Sequence, residues 1–436
     1  MGGVSGEQAP NPRSATKRSA LRPVGELAPV GRTICADLHV HIGRTREGQR
    51  IKITAARDLT IEAIAEECSA RKGIEIVGIV DCACPPVLEE LRQLEAAGEL
   101  SQLPQGGLGY KDRVTIIPGA EVETVEGRGR IGHFLAYFPG LSELEDFSSF
   151  LSPHLSNPDL STQRSRLRIQ QVWQIVDSIG GFLVPAHSFT PYKSVYGSCA
   201  RRLSELFDDK ALSRIPAIEL GLSADSDMAD CLSELSQVTF LSDSDAHSPE
   251  RIGREYNIFQ IQSPNYEEVF LALGRKQGRR IVANFGLDPR LGKYHRTFCL
   301  RCSSIARIPP PVHTCPSCGG DKVVKGVLDR LVEIRDYEEP KRPAHRPPYR
   351  YQVPLSFLPG LGAVAMSKLL NRFGTEMAVL HQVEERELSA VVGGSLARTI
   401  IAARQGTLPV QPGGGGRYGK PLATAAQTQL AFEVLP

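Results

Sequence analysis

The stretch Ile34-Cys35-Ala36-Asp37-Leu38-His39-Val40-His41 decides how this chain is read. A short apolar run passes directly into two imidazoles two residues apart. Side chains of an extended segment alternate with period two, so His39 and His41 share one side. Four other segments repeat the rule, an apolar run ending in a metal-ligand type. Ile76–Val80 runs into Asp81, Ile116–Pro118 into Glu121, Leu183–Pro185 into His187, and Phe240-Leu241 into Asp245 and His247. His133 lies just inside its own apolar run, Ile131–Tyr137. One histidine at a strand end is usually a satisfied core residue; five histidines and three acids so placed are a constellation.

Between these runs lie helical patterns. Strands are expected at Thr33–Ala36, Ile74–Val80, Val114–Pro118, Ile131–Tyr137, Phe182–Pro185, Ala217–Leu220, Val238–Leu241 and Arg280–Ala283. Amphipathic helices are expected at Leu59–Ala70, Val87–Ala97, Arg166–Ile179 and Glu267–Gln277. The alternation predicts an α/β fold of βα units with a parallel sheet closing as a barrel. The C-terminal strand ends of such a barrel converge on one mouth, where sites are built. Imidazoles and carboxylates together bind zinc, manganese or iron. Asp245 or Glu121 can bridge two cations, and a pair about 3.5–4 Å apart clamps the oxygens of a transferring phosphoryl group.

With 41% hydrophobic and 23% charged residues the composition is that of an ordinary globular protein. No apolar run reaches membrane-spanning length, and the N-terminus lacks a secretory apolar core, so a cytoplasmic location with no membrane partner is expected. A net charge of +2 does not by itself announce a nucleic-acid binder. Residues 1–32 carry Arg13, Lys17, Arg18, Arg22 and Arg32 against Glu7 and Glu26, and read as a disordered basic tail.

Four of the ten cysteines stand as Cys299-x2-Cys302 and Cys315-x2-Cys318. That spacing predicts a closed, structural four-thiolate zinc site within 291–335. Arg296, Arg301, Arg307, Lys322 and Lys325 give this module a basic surface. A Pro- and Arg-rich linker over 336–352 follows. Residues 353–410 read as helical, with Pro359-Gly360-Leu361-Gly362 before a helix in a helix-hairpin-helix pattern, and a weaker copy at Gly393-Gly394. Such turns offer backbone N–H groups, at Gly360 and Gly362 here, to a DNA phosphate. The Gly413–Gly416 run places a flexible tail over 411–436. His154, His295, His313, His345 and His381 lack a strand-end context.

Asp37-Leu38-His39-Val40-His41, Glu121, His187 and Ser244-Asp245-Ala246-His247 together resemble the polymerase-and-histidinol-phosphatase superfamily. Pro118-Gly119-Ala120-Glu121-Val122-Glu123, Gly132-His133-Phe134-Leu135, Phe189-Thr190-Pro191 and Gly253-Arg254-Glu255 narrow the resemblance to endonuclease Q. The resemblance implies a distorted seven-stranded β/α barrel over 33–290, followed by a zinc ribbon and the helical domain. It implies hydrolysis of the phosphodiester 5′ to hypoxanthine, uracil, xanthine or an abasic site in DNA. The eight residues His39, His41, Asp81, Glu121, His133, His187, Asp245 and His247 would hold two or three divalent cations, zinc, magnesium or manganese. The barrel chain would be a monomer acting with other repair or replication proteins. Tyr192 and Tyr196 are the aromatic candidates for stacking on a target base.

One departure stands out. The second motif reads Asp81-Cys82-Ala83-Cys84, where many superfamily members carry a histidine. Either Cys82, Cys84 or Glu47 completes a metal position there, or the two thiols are small buried residues. Two other functions fit the barrel alone. A small-molecule phosphatase leaves the cysteine module and glycine turns without purpose, and a non-catalytic DNA-binding scaffold would hold only the cysteine-bound zinc.

Overall fold

The structure is a computed structural model, and it describes Met1 and residues 31–422. Most of the expected basic tail, and Leu430–Val434 of the C-terminal tail, lie outside the described residues. In chain order the strands are β1 (Arg32–Val40), β2 (Ile76–Ile79), β3 (Leu100–Gln102), β4 (Leu108–Tyr110), β5 (Val114–Glu126), β6 (Arg130–Tyr137), β7 (Phe182–Pro185), β8 (Ala217–Glu219), β9 (Thr239–Leu241), β10 (Tyr256–Ile261), β11 (Arg280–Gly286), β12 (Phe298–Cys299), β13 (Val323–Val324) and β14 (Tyr349–Tyr351). The fold is mixed α/β around a large sheet.

Strands β1, β2 and β5 run parallel. Strands β8 and β9 are parallel as well, and the expected parallel order breaks at β6, β7 and β10. β5 continues to Glu126 and turns back through Gly127–Gly129 into antiparallel β6, and β7 is antiparallel to β6. The glycines permit that short turn, and Gly129 has φ +75°. On the other side of β1 lies antiparallel β10, which the strand reading missed. The end of β7 reaches β8 through Ser188 N–H donating to the Glu219 carbonyl, and β8 reaches β9 through Leu220 N–H and the Leu241 carbonyl. The segment after β9 then exchanges bonds with β1, Ala246 N–H to the His39 carbonyl and His41 N–H to the Ala246 carbonyl. The succession β1, β2, β5, β6, β7, β8, β9 thus returns to its start.

Two buried carboxylates hold this closure. Asp37 accepts from the N–H groups of Ser244 and Gly253, and Asp243 accepts from Leu38 N–H and from Asn257. A buried apolar core fills the ring, with Leu38, Ile76, Ile117, Leu135, Val184 and Leu241 among its members. A separate apolar cluster joins the helices Ala363–Phe373, Glu376–His381, Glu385–Val392 and Gly394–Arg404 to Leu287 and Leu291. Among the described residues no helix is long and apolar enough to cross a membrane.

Two segments expected to be loose are packed. The linker 336–352 carries β14, paired with β11, and its Arg346 is buried in a 2.8 Å ion pair with Asp230. The Gly413–Gly416 run, expected to be flexible, sits inside a hairpin whose strands pair at Val410–Gln411 and Lys420–Pro421. A Cβ on Gly413 would lie 2.6 Å from the Gly292 carbonyl oxygen, so close approach explains this glycine.

Glu255 is fully buried, and one of its oxygens has no partner among the described residues. The other accepts from Leu287 N–H at 2.7 Å. Burial pushes its pKa up to about 8 from the ordinary 4.5. Between those values the folded chain holds a proton that the unfolded chain releases. The stability it contributes is full below about pH 4.5 and is lost as pH rises toward 8. Glu255→Gln should remove this slope, so the Tm of the variant relative to the native chain should rise steadily from pH 5 to pH 8. A difference independent of pH contradicts the assignment.

Candidate metal centre

The sheet brings the sequence-derived residues together, although Glu121, expected at a strand end, lies inside β5 because that strand continues to Glu126. His39 is the penultimate residue of β1 and His41 follows the strand. Glu121 lies in β5 and His133 in β6, and His187, Asp245 and His247 follow β7 and β9. Two groups of three residues could each hold a cation, His39 with His41 and Asp245, and Glu121 with His133 and His187.

The decisive contact is between His39 and His41. Their Nε2 atoms face each other at 3.3 Å. The Nδ1 of His39 is 2.9 Å from the buried Glu219 carboxylate, and the Nδ1 of His41 is 3.0 Å from Asp81. Carboxylates at both Nδ1 atoms fix those positions as N–H donors, which leaves two lone pairs opposed. A proton or a cation between them removes the conflict. Asp245 Oδ1 lies 3.6 and 3.4 Å from the same two nitrogens, which completes a donor set suited to a transition metal.

Every imidazole of the site is held from behind. His133 Nε2 is 3.1 Å from Glu123, His187 Nδ1 is 3.3 Å from the Thr190 hydroxyl, and His247 Nδ1 is 3.1 Å from the Asp245 carbonyl. Outer partners of this kind fix ring orientation and tautomer in metal sites. His133 Nδ1 lies 2.7 Å from Glu121 Oε1 but off the hydrogen-bonding direction, and His187 Nε2 lies 3.4 Å from the same oxygen. Glu121 also approaches His39 at 3.7 Å and His41 at 3.6 Å, so it stands between the two groups.

Asp81 departs from its expected place. It belongs to neither group. It accepts from Ile42 N–H at 2.6 Å and from Ser161, and it orients His41. His247 also lies outside both, with its ring centroid 4.5 Å from that of His41. Cys82 and Cys84 are buried, and burial raises both thiols. Glu47 is exposed. None of the three belongs to a candidate metal group among the described residues, so the small-buried-residue reading of the thiols fits.

The electrostatics follow from crowding. Burial opposes charge on His39, yet Glu219, Asp245 and Glu121 more than offset it and bring its pKa to about 10. Burial also disfavours ionised Glu121 and Asp245, but the surrounding histidines, and Lys52 for Glu121, hold both well below the usual carboxylate range. His247 falls to about 4 through burial and the neighbouring His41. The backbone is strained at two ligand positions, φ +28° at His187 and +46° at Asp245. Arg254 braces the second by donating to the carbonyls of Ser244 and Asp245.

The centre opens into a cleft of about 510 Å³. Sequence reasoning missed Lys52, whose ammonium lies 2.8 Å from Glu121 and 2.5 Å from the Thr162 hydroxyl. No strand pattern precedes Lys52, so nothing local marked it. Glu219 does end a strand, and that signal went unused. Tyr192 is 53% exposed and lines the cleft. Tyr196 does not do so. Its ring is buried in a stack on Phe189 and its hydroxyl donates to Glu234, so it offers no face to a base. Gly360 and Gly362 lie before the helix Ala363–Phe373, with open space where a Cβ would stand, and outside the cleft.

The four cysteines converge, with Cys299 and Cys318 sulfurs 3.7 Å apart and Cys302 and Cys315 sulfurs 3.5 Å apart. The spacing fits a tetrahedral thiolate site.

The outer partners yield a test. Glu219→Gln keeps the shape of the side chain but removes its charge from His39. It should weaken divalent-metal affinity about 10–100-fold, read by chelator competition, with unchanged circular dichroism. Unchanged affinity would falsify the orienting role.

No family profile matches the chain. The uncharacterized protein YqxK of Bacillus subtilis is 45% identical over 390 residues, covering 89% of this chain and 98% of that protein. The lesion-specific endonuclease PfuEndoQ from Pyrococcus furiosus matches with a TM-score of 0.77 and 32% identity, over 90% of this chain and 96% of that one. An endonuclease Q in complex with a 27-mer duplex, with an abasic lesion at the active site, matches with a TM-score of 0.77 and 31% identity, over 91% and 98%. The chain belongs to the endonuclease Q family.

Proposed function

We propose that this protein is a metal-dependent DNA repair endonuclease that hydrolyses the phosphodiester 5′ to hypoxanthine, uracil or xanthine, or to an abasic site. The observation that carries the reading is the opposed pair of imidazole nitrogens beside two shared carboxylates, at the floor of an open cleft. The kinship with a lesion-specific endonuclease, and with an endonuclease Q that holds a duplex with an abasic lesion at its active site, supports DNA as the substrate.

His39, His41 and Asp245 would hold one divalent cation, and Glu121, His133 and His187 a second, with Glu121 between them. Divalent cations supply a low-pKa water at neutral pH and offset charge on phosphoryl oxygens. Asp81 and Glu219 keep the imidazoles in the donor tautomer. Lys52, nearly buried at the cleft floor, adds a fixed positive charge facing an incoming phosphate. Tyr192, at the rim, presents a ring on which a base turned out of the duplex can stack.

The domains divide the work in this reading. Residues 33–290 form the phosphoesterase barrel. The cysteines of 291–335 hold a structural zinc, whose binding energy folds a segment too small to fold alone. Residues 353–410 form a helix-hairpin-helix-like domain, whose turns at Gly360–Gly362 and Gly393–Gly394 hold backbone phosphates and position the duplex.

Nicking of duplexes carrying uracil, hypoxanthine or an abasic site, with magnesium or manganese added, tests the proposal. Asp245→Asn should nearly abolish nicking while the thermal transition stays intact. Full activity in that variant overturns the assignment. Tyr192→Ala should weaken selective cleavage about tenfold, within the roughly 1–3 kcal/mol of one base–aromatic stack. An unchanged preference for hypoxanthine over adenine removes Tyr192 as the platform.

A further inference from the structure

A groove of about 480 Å³ lies at the end of the sheet away from the metal centre, between the start of β11 and the segment 344–348. Strand register gives its place. Arg280 is level with Gln260, and Gln260 with Thr33. Thr33 precedes His39 by six positions along β1, so the groove is roughly 20 Å from the centre.

Four arginines line this groove, and acidic partners neutralise two of them. Arg279 is paired with Glu268 at 2.9 Å, and buried Arg346 with Asp230 at 2.8 Å. Arg275 and Arg280 line the same groove, and neither makes an ion pair among the described residues. Both are nevertheless held by neutral acceptors. Arg275 donates to the Thr239 hydroxyl at 2.6 Å and to the Gln237 carbonyl at 2.8 Å, and Arg280 donates to Gln260 at 3.1 Å. Ordering a long cationic side chain costs rotamer entropy, and here it leaves two guanidinium forks beside one cavity. His345 joins them, with its pKa lowered by burial and then by the charges of Arg275 and Arg346. The burial of Arg346 fixes the segment that carries His345.

We propose that this groove binds a small phosphorylated molecule, its phosphoryl oxygens taken by Arg275 and Arg280 beside His345. The planar fork of a guanidinium matches phosphate oxygens two at a time. The volume suits a ligand of nucleotide size. Pro347 and Pro348 wall one side, which favours a compact ligand over a continuous duplex backbone.

Calorimetric titration of the metal-loaded full chain with inorganic pyrophosphate tests this. The native isotherm should contain a component that Arg275→Gln/Arg280→Gln weakens at least about tenfold, while nicking of lesion DNA stays at the native rate. Arg280→Gln alone, at an exposed position where folding is not at stake, should weaken it in the same direction. A lesion-free duplex should not displace pyrophosphate from this component. Identical isotherms for the native chain and both variants overturn the proposal, and so does displacement by the duplex, which would place DNA backbone in the groove.

Discussion

Two imidazole nitrogens opposed at 3.3 Å in a buried site form the constraint around which this molecule is arranged. Neither nitrogen can turn away, because a carboxylate holds the far side of each ring. Water is excluded from both side chains, so solvent cannot screen the conflict. Only a positive charge placed between them satisfies the geometry, and the ring of carboxylates supplies the compensating negative charge. The same logic recurs at His133, His187 and His247, each held at its outer nitrogen by an acceptor that the fold itself supplies.

Such a centre is expensive to hold together, and the fold meets that cost through connections made by the ring of strands. Asp37 and Asp243 sit one layer beneath the ligands and staple the segment after β9 to β1. Arg254 then fixes the carbonyls on either side of the strained Asp245 backbone. The Gly253-Arg254-Glu255 run is thereby accounted for in physical terms. Gly253 donates its N–H to Asp37, Arg254 braces Asp245, and Glu255 caps the end of β11 at Leu287. A Cβ on Gly221 would lie 3.0 Å from the Cβ of His187, so this glycine lets the chain pass behind a ligand.

Much of the site was legible because apolar runs ending in His or an acid are visible without knowledge of partners. Six of the eight residues read in this way make up the two donor groups. Asp81 was misplaced because a residue type at a strand end does not say which side of a neighbouring imidazole it will meet. Lys52 was invisible because it comes from an irregular segment, where no periodicity marks a position. Tyr196 was misread because a polar loop sequence conceals a buried π-helical turn, Val195–Cys199. For the fold, the parallel core was legible, whereas β10 went unread and β6 and β7 carry no signature of direction. The packed 344–348 segment and the Gly413–Gly416 hairpin depend on contacts far away in sequence, which composition cannot report.

The central claim is that the strand-end cluster is a metal centre in its own right, separate from the cysteine module. Metal content of the purified full chain, measured by elemental mass spectrometry after equilibration with zinc or manganese and removal of free ions, tests it most directly. The account predicts about one ion per donor group, three per chain. A single ion per chain, lost when Cys302 is replaced by serine, would leave the barrel without a metal and contradict it.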